Sequence, residues 1–383
     1  MRVCIVYDCL YPFTIGGAER WYRNLAERLA SRGHEVTFLT RRQWGRGDDP
    51  EVPGVRVVAV SPRMGLYARG RRRTLPPLLF GLGVLVHLGR YGRRYDVVHT
   101  ASFPFFSLLS AGAARGHGRY RLLVDWHEIW TREYWQEYLG PLRGRIGWRI
   151  QRACLRVPQR AFCFSGLHER RLREQGLSGR LTRLEGQYAG PPAPAAPRSA
   201  RPVVVFAGRH IPEKRVPALV PALARARDEL PDLYGELYGN GPERERVLDA
   251  IAELGLDRYV SAPGFVEEGI LDYALADALC LVLPSKREGY GLVVIESAAR
   301  GVPSVVVEGP DNAATELVEE GVNGTIAASA QPDDLAAAIV RVFRAGADLR
   351  ESTLGWFHRN AERLSLERSL QVVLAEYENQ PGS

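Results

Sequence analysis

Short apolar runs alternate along the chain with longer stretches in which apolar positions recur every three or four residues. Runs of the first kind read as buried strands and stretches of the second kind as amphipathic helices, so the rhythm predicts parallel α/β structure. In the first half the predicted strands are 2–8, 35–40, 55–60, 96–100, 121–125 and 161–165. In the second half they are 202–208, 234–238, 260–262, 279–283, 303–307 and 324–327. Between the first two, Ala18–Ser31 has Trp21, Leu25 and Leu29 at helical spacing. Residues 189–200 hold prolines that continue neither element and predict a linker. The expected organisation is a doubly wound domain over 1–188, the linker, and a second such domain over 201–365. A terminal amphipathic helix within 366–383 is expected to pack back toward the first domain. Ligands of doubly wound sheets bind at the carboxyl ends of the strands, so a cleft lined by both sheets is expected.

At 383 residues, with 45% apolar and 25% charged positions, the chain fits a two-domain globular protein. Met1–Asp8 runs straight into a strand, with no signal peptide in view. The longest apolar stretch, 75–89, contains two prolines and a histidine and is shorter than the roughly 20 residues a spanning helix needs. Five cysteines without Cys-x-x-Cys spacing argue against a disulfide framework or a zinc site. The expectation is a cytoplasmic protein. Charge is split: residues 1–190 carry 32 arginines against 15 acids, and residues 191–383 carry 19 basic residues against 29 acids. Such asymmetry suggests that the first half meets something anionic. No nucleic-acid motif accompanies it. An anionic membrane surface or a phosphate-bearing acceptor fits, and a plain solubilising surface remains open.

Only two of the 51 basic residues are lysine, Lys214 and Lys286. Lys286 is read as retained without a role. Lys214 closes Gly208-Arg-His-Ile-Pro-Glu-Lys after an apolar run, where Arg209 and Lys214 would project at the strand's carboxyl end. A forked guanidinium and a mobile ammonium suit a diphosphate. In Pro284-Ser-Lys-Arg-Glu-Gly-Tyr-Gly-Leu-Val-Val-Ile-Glu296, a strand leads through a Gly-x-Gly turn into a helix. The glycines permit close backbone approach to a ligand. Glu288 and Glu296 could accept hydrogen bonds from hydroxyls on two parts of it.

These segments resemble the GT-B glycosyltransferases, in particular the retaining glycosyltransferase family 4. The likeness is carried by Glu288 and Glu296 with seven residues between them, Gly208-Arg209 with Lys214, and Gly16-Gly17-Ala-Glu-Arg. Supporting pieces are Gly239-Asn-Gly-Pro242 and Glu316–Gly324. The resemblance implies an N-terminal acceptor domain and a C-terminal domain holding a nucleoside diphosphate-sugar. Arg209 and Lys214 would meet the diphosphate, and Glu288 the sugar hydroxyls. The amides of Gly289, Tyr290, Gly291 and Leu292 would lie at sugar and phosphates, Glu296 at the ribose, and Gly264, Phe265 and Val266 past the base. Gly16 and Gly17 would complete the phosphate side. His127, in Asp125-Trp-His-Glu128, falls where the family places a histidine near the donor sugar, and Ser165 falls at a usual small polar position. One departure is Glu185-Gly-Gln-Tyr188, where the family carries Pro-Asn-Gly.

The implied reaction is hexosyl transfer from a UDP- or GDP-sugar to an acceptor hydroxyl with retention, the acceptor a lipid-linked or polysaccharide intermediate. His127, Glu288, Arg209 and Lys214 would be the catalytic set, with no metal and no cofactor. Cationic side chains would replace a divalent ion, since no Asp-x-Asp is present. Trp126, Trp130 and Tyr134 are candidates for the acceptor groove, beside Trp135 and Tyr138. The arginines at 69, 71, 72, 73, 90, 93 and 94 flank the apolar Leu75–Leu88 segment, which suits either a peripheral contact with the inner membrane face or an ordinary sheet-covering helix. A nucleotide-sugar epimerase and a non-catalytic sugar-nucleotide-binding protein are the competing readings. Donor base, sugar, acceptor, regiochemistry and oligomeric state are not written in the sequence.

Overall fold

The computed structural model describes residues 1–378 except Arg46, Leu66, 69–70 and 192–199, and of 67–68 and 71–72 only the backbone. Most of the expected linker, Arg69 and the side chains of Arg71 and Arg72 therefore lie outside the described residues. So do residues 379–383. Two compact units emerge: Met1–Leu184 with the chain from Ser369 onward, and Glu185–Arg368. The division thus falls at Leu184 and not at 188. The reason is local: the Tyr188 N–H bonds Leu364 O and the Leu366 N–H bonds Tyr188 O, tying 185–188 to the second unit.

The first unit is built on a parallel seven-stranded sheet of β1 (Arg2–Val6), β2 (Glu35–Arg41), β3 (Val55–Ser61), β4 (Val97–Ala101), β5 (Arg121–Trp126), β6 (Gln159–Cys163) and β7 (Gly179–Arg183), in the order β3-β2-β1-β4-β5-β6-β7. Its helices are α1 (Gly17–Ser31), α2 (Leu75–Tyr91), α3 (Phe105–Gly118), α4 (Arg132–Leu139), α5 (Pro141–Leu155) and α6 (Gly166–Glu174). Period-two alternation sends Leu122, Val124 and Trp126 of β5 into one core layer with Phe80, Val84 and Leu108. On the other face Trp21, Tyr22, Leu25 and Leu29 of α1 are fully buried, and so is Tyr377 from the last helix.

The second unit repeats the plan with six parallel strands: β8 (Val203–Ala207), β9 (Tyr234–Tyr238), β10 (Val260–Gly264), β11 (Cys280–Leu283), β12 (Ser304–Val307) and β13 (Gly324–Ala327), in the order β10-β9-β8-β11-β12-β13. The covering helices are α7 (Leu219–Arg227), α8 (Arg244–Glu253), α9 (Glu268–Asp277), α10 (Leu292–Ala298) and α11 (Pro332–Leu364), which is interrupted at Gly346. The last helix, α12 (Leu366–Glu378), carries the chain back to the first unit, where the Arg121 guanidinium bonds the Tyr377 and Glu376 carbonyls and Arg160 pairs with Glu376.

In each sheet the strand order reverses once, between β1 and β4 and between β8 and β11. Loops leaving the carboxyl ends of those strands diverge to opposite sides and leave a crevice. The loop carrying Gly16 and Gly17 follows β1. The segments Gly208–Lys214 and Pro284–Glu288 follow β8 and β11, which are direct neighbours in the sheet.

Candidate functional site

In the second unit, β8, buried up to half-buried Ala207, runs into Gly208, then exposed Arg209, buried His210 and a 3-10 turn at Pro212–Lys214. This loop is held by a second glycine loop. The His210 N–H bonds Asn240 O and the Gly208 N–H bonds Tyr238 O. Gly239 has φ 120°, and a Cβ there would lie 1.8 Å from Gly208 O. Only glycine fits that position, which gives Gly239-Asn-Gly-Pro242 its structural reason.

The two predicted segments meet. Lys286 N–H donates to Glu213 O at 2.8 Å, and Arg287 lies 3.8 Å from the Glu213 carboxylate. The Lys214 ammonium pairs with Glu288 Oε1, and the Ser285 hydroxyl donates to the same oxygen at 2.7 Å. Glu288 is buried and Lys214 half-buried. A carboxylate in such a place needs compensating donors, and these two supply them. Glu288 also lies in a two-residue parallel ladder with Asn312, whose side-chain amide bonds Val307 O at 2.7 Å and Ser285 O at 3.3 Å. Gly291 precedes α10 at φ 100°, close against Ala314, and Glu296 follows one turn into the helix, half-buried. Tyr290 is turned away as an anchor: its buried side chain donates to Glu185 O, so only its backbone faces the Gly-Tyr-Gly turn. At the end of β10, Gly264 stands at φ 95° with Phe265 exposed beyond it. Arg244 reaches across to Ala262 O at 2.7 Å, fixing that strand end. The stretch Glu316–Gly324 leads from the end of a 3-10 helix (Ala313–Leu317) into β13, and the Asn323 side chain closes the turn between them by bonding Glu319 N at 2.6 Å and Leu317 O at 2.8 Å.

In the first unit His127 directly follows β5. Its ring stacks on Phe164 at 4.8 Å and 3°, with Tyr22 edge-on at 5.9 Å, and its Nε2 is buried without a protein hydrogen-bond partner among the described residues. Burial holds its pKa below the usual imidazole value against the opposing pull of Asp125 and Glu128. Beneath it lies a polar network in the core. Tyr377 OH and His99 Nδ1 are 2.6 Å apart, His99 Nε2 is 2.9 Å from Asp125 Oδ1, and Trp21 Nε1 donates to Asp125 Oδ2 at 2.7 Å. Burial opposes ionisation of Asp125, but His99, with help from His127 and Trp21, outweighs it and holds the carboxyl below the usual range. Trp21 is on α1, which starts at Gly17 with Gly16 as N-cap, so the network joins the glycine loop's helix to the strand that carries His127.

One sequence-based expectation is corrected. Trp126 cannot line an acceptor groove: it is fully buried in the core layer, its Nε1 donating to Gln159 Oε1 at 2.9 Å. Ser165 acts as N-cap of α6, accepting from His168 N. Tyr134 is buried, stacked edge-on with half-buried Trp130, which donates to Glu128. The sequence reading missed Ser285, Asn312, Arg244 and the His99–Tyr377 pair. Ser285 lies inside the motif already singled out, and only its neighbours' identity pointed to it.

Two parallel doubly wound units with polar clusters at their strand reversals define a GT-B glycosyltransferase. Sequence comparison agrees: the family described as Glycosyltransferase Family 4 matches residues 15–184, and that described as Glycosyl transferases group 1 matches residues 201–345. The chain belongs to the family 4 glycosyltransferases. It is similar to a glycogen synthase of Mycobacterium tuberculosis, 26% identical over 89% of this chain and 85% of that one. Among solved structures it resembles sucrose-phosphate synthase from Thermosynechococcus elongatus, with a TM-score of 0.80 at 20% identity over 98% of each chain. It also resembles Anabaena HepE in complex with UDP and glucose, with a TM-score of 0.76 at 19% identity over 99% of this chain and 100% of the other. No described helix is long and apolar enough to cross a membrane.

Proposed function

We propose that this glycosyltransferase moves a hexosyl group from a UDP- or GDP-sugar to an acceptor hydroxyl with retention of configuration. The observation that carries the reading is the Lys214–Glu288 pair at the strand reversal of the second unit, with Arg209 exposed on the same loop. An ammonium has three N–H groups, and one directed at Glu288 leaves two for a diphosphate. As the glycosidic C–O bond breaks, negative charge builds on the leaving diphosphate, and Arg209 and Lys214 stabilise it electrostatically. Glu288 accepts hydrogen bonds from sugar hydroxyls, Glu296 from the ribose, and Phe265 lies against the base. Backbone amides of Gly289–Leu292 complete the donor contacts in the second unit. His127, kept neutral by burial, orients the sugar through Nε2, and the acceptor proton leaves with the departing phosphate. These cations take the place of a divalent ion, so no metal is required.

The similar HepE structure is a complex with UDP and glucose, which supports a uridine donor for this chain. The acceptor is a lipid-linked or polysaccharide intermediate, met by half-buried Trp130. The protein works in the cytoplasm in peripheral contact with an anionic membrane through its arginine-rich first unit. The test is a panel of UDP- and GDP-sugars assayed with and without acceptor extract. Acceptor-dependent release of nucleoside diphosphate, lost in Glu288→Ala, supports the reading. A rearranged sugar formed without acceptor would make the protein an epimerase, and donor binding without turnover under every acceptor would make it a binding protein.

A further inference from the structure

Two helices of the first unit turn apolar side chains outward. On α2, Leu75, Leu78, Leu82, Leu85 and Val86 are all exposed, Leu82 by 57% and Val86 by 64%. At about 100° per residue they fall on one stripe. The opposite side, Phe80, Val84 and Leu88, is fully buried. On α5, Leu142 is 71% and Ile146 51% exposed, one turn apart. Tyr138 and Leu139 at the end of α4 are exposed as well. The inner side of α5 is Gly144, Gly147, Gln151, Cys154 and Leu155. A Cβ at Gly144 would lie 2.5 Å from Trp135 O, and one at Gly147 2.4 Å from the Trp135 ring. The α4–α5 hairpin is therefore clamped, and its outer face is a fixed surface.

Both helices bury their inner sides in the same core layer, with α3 between them: Phe80, Val84 and Leu88 from α2 and Cys154 and Leu155 from α5 join Phe105 and Leu108. Their outer faces therefore point away from the sheet on the same side. Cations frame both. Arg90, Arg93 and Arg94 close the end of α2, and exposed Arg143, Arg145 and Arg149 flank Leu142 and Ile146. From 61 to 156 the chain carries seventeen arginines against five acids, and one of those acids, Asp125, is buried.

We propose that α2 and α5 together form a two-helix seat on an anionic lipid bilayer, with Leu142 and Ile146 as its second apolar anchor. This rests on the peripheral-membrane part of the proposed function and adds to it a second helix. Aliphatic centres with arginine borders match acyl chains below a layer of anionic headgroups. A second copy of the chain would set arginine against arginine. Nucleic acid would leave the apolar centres without a partner.

The test is cosedimentation of the full chain with vesicles of neutral phosphatidylcholine, or of the same lipid with about one-third phosphatidylglycerol, across a salt series. The variants are Leu142→Ser/Ile146→Ser on α5, Leu82→Ser/Val86→Ser on α2, and Arg143→Gln/Arg145→Gln/Arg149→Gln. All these positions are exposed, and unchanged melting of each variant confirms that it folds. Expected is salt-sensitive binding to the anionic vesicles alone, weakened about tenfold or more by either apolar pair and about fivefold per arginine. Wild-type-like binding of both α5 variants, with binding lost in the α2 variant, overturns the second anchor while leaving peripheral contact standing. Failure of the wild type to bind either vesicle overturns both. A concentration-dependent dimer that Leu142→Ser/Ile146→Ser abolishes makes a second copy the occupant and also overturns the proposal. Donor hydrolysis on the same preparations reports the glycosyltransferase reading independently.

Discussion

Lys214→Ala removes one partner of the half-buried pair at the heart of the proposed donor site. Two costs follow, and they are separable. The first is structural. Removing one partner of a fully buried ion pair costs about 3–5 kcal/mol. Here the Lys214 side chain keeps 20% of its surface, and the Ser285 hydroxyl still donates to the Glu288 carboxylate. About 1–3 kcal/mol is therefore expected, nearer the cost of one unsatisfied buried group. Lys214→Ala/Glu288→Ala removes the stranded charge as well and should recover part of that loss. A double-mutant cycle in urea, fitted for two units because a two-unit chain need not unfold in one step, should give a coupling of about 1 kcal/mol or more. The second cost falls on the ligand. A hydrogen bond to a charged group contributes about 1.5–3 kcal/mol, so affinity for UDP or GDP should fall roughly ten- to 150-fold. The free nucleoside has no phosphate to lose, and its affinity should hold. Calorimetric titration with nucleoside and diphosphate side by side decides the matter. Equal losses for both would remove Lys214 from the diphosphate, and a coupling near zero would refute the pair itself.

Glu288→Ala should abolish transfer and leave diphosphate affinity close to wild type; undiminished turnover would end its sugar role. Chelation of divalent ions should leave turnover unchanged, and a steep loss would contradict the cation-only scheme. Gly239→Ala forces a Cβ to 1.8 Å from a backbone oxygen at φ 120°. A loss of about 3 kcal/mol or more is expected in chemical denaturation, and a soluble variant of unchanged midpoint would rule out the close approach. Burial lowers the pKa of both His127 and His210. The unfolded chain therefore binds more protons than the native one just below the usual imidazole value of about 6.5, so stability rises with pH there and is lost as the pH drops, by at most about 1.4 kcal/mol per unit per group. Denaturation midpoints at pH 7 and 5.5 test this, and His210→Gln should flatten the profile; a midpoint insensitive to pH would show these rings are not buried neutral. Tyr377→Phe strips His99 Nδ1 of its partner and should cost about 1–3 kcal/mol, read as a lower melting temperature; no change would mean the hydroxyl is not part of the network.

What could be read from the chain follows from where each signal is carried. Strands β8 and β11 are unbroken apolar runs, and their predicted spans, 202–208 and 279–283, enclose or overlap the observed ones closely. Strand β7 was missed because it is an edge: Gly-Arg-Leu-Thr-Arg pairs on one side only and buries no continuous apolar face. The expected strand 161–165 lies two residues late, since Ser165 already caps α6. Trp126 could have been recognised as core from period two, because it shares a face with Leu122 and Val124, whereas Asp125 and His127 alternate to the other side. The meeting of Lys214 with Glu288 was expected through the family resemblance, and strand order supplies its physical reason, since both motifs follow strands that flank the reversal. The bond between His99 and Tyr377 was not, because 278 residues separate them and neither sits in a recognisable pattern.

That last contact bears on how the first unit organises its half of the chemistry. Asp125 is a fully buried carboxylate, and such a group persists only if donors surround it. Its donors come from three distant parts of the chain: Trp21 near the glycine loop, His99 on the neighbouring strand, and, through His99, Tyr377 at the end of the last helix. Each fixes a different element against β5, and His127 extends from that strand two residues beyond Asp125. The position of the histidine and the angle of the helix that follows Gly16 are thus set by one desolvated charge. Hydrophobic packing alone tolerates small rotations of a helix on a sheet, whereas a buried carboxylate with directed donors does not. The polar core specifies geometry at the carboxyl edge of the sheet, and the last helix of the chain takes part in specifying it.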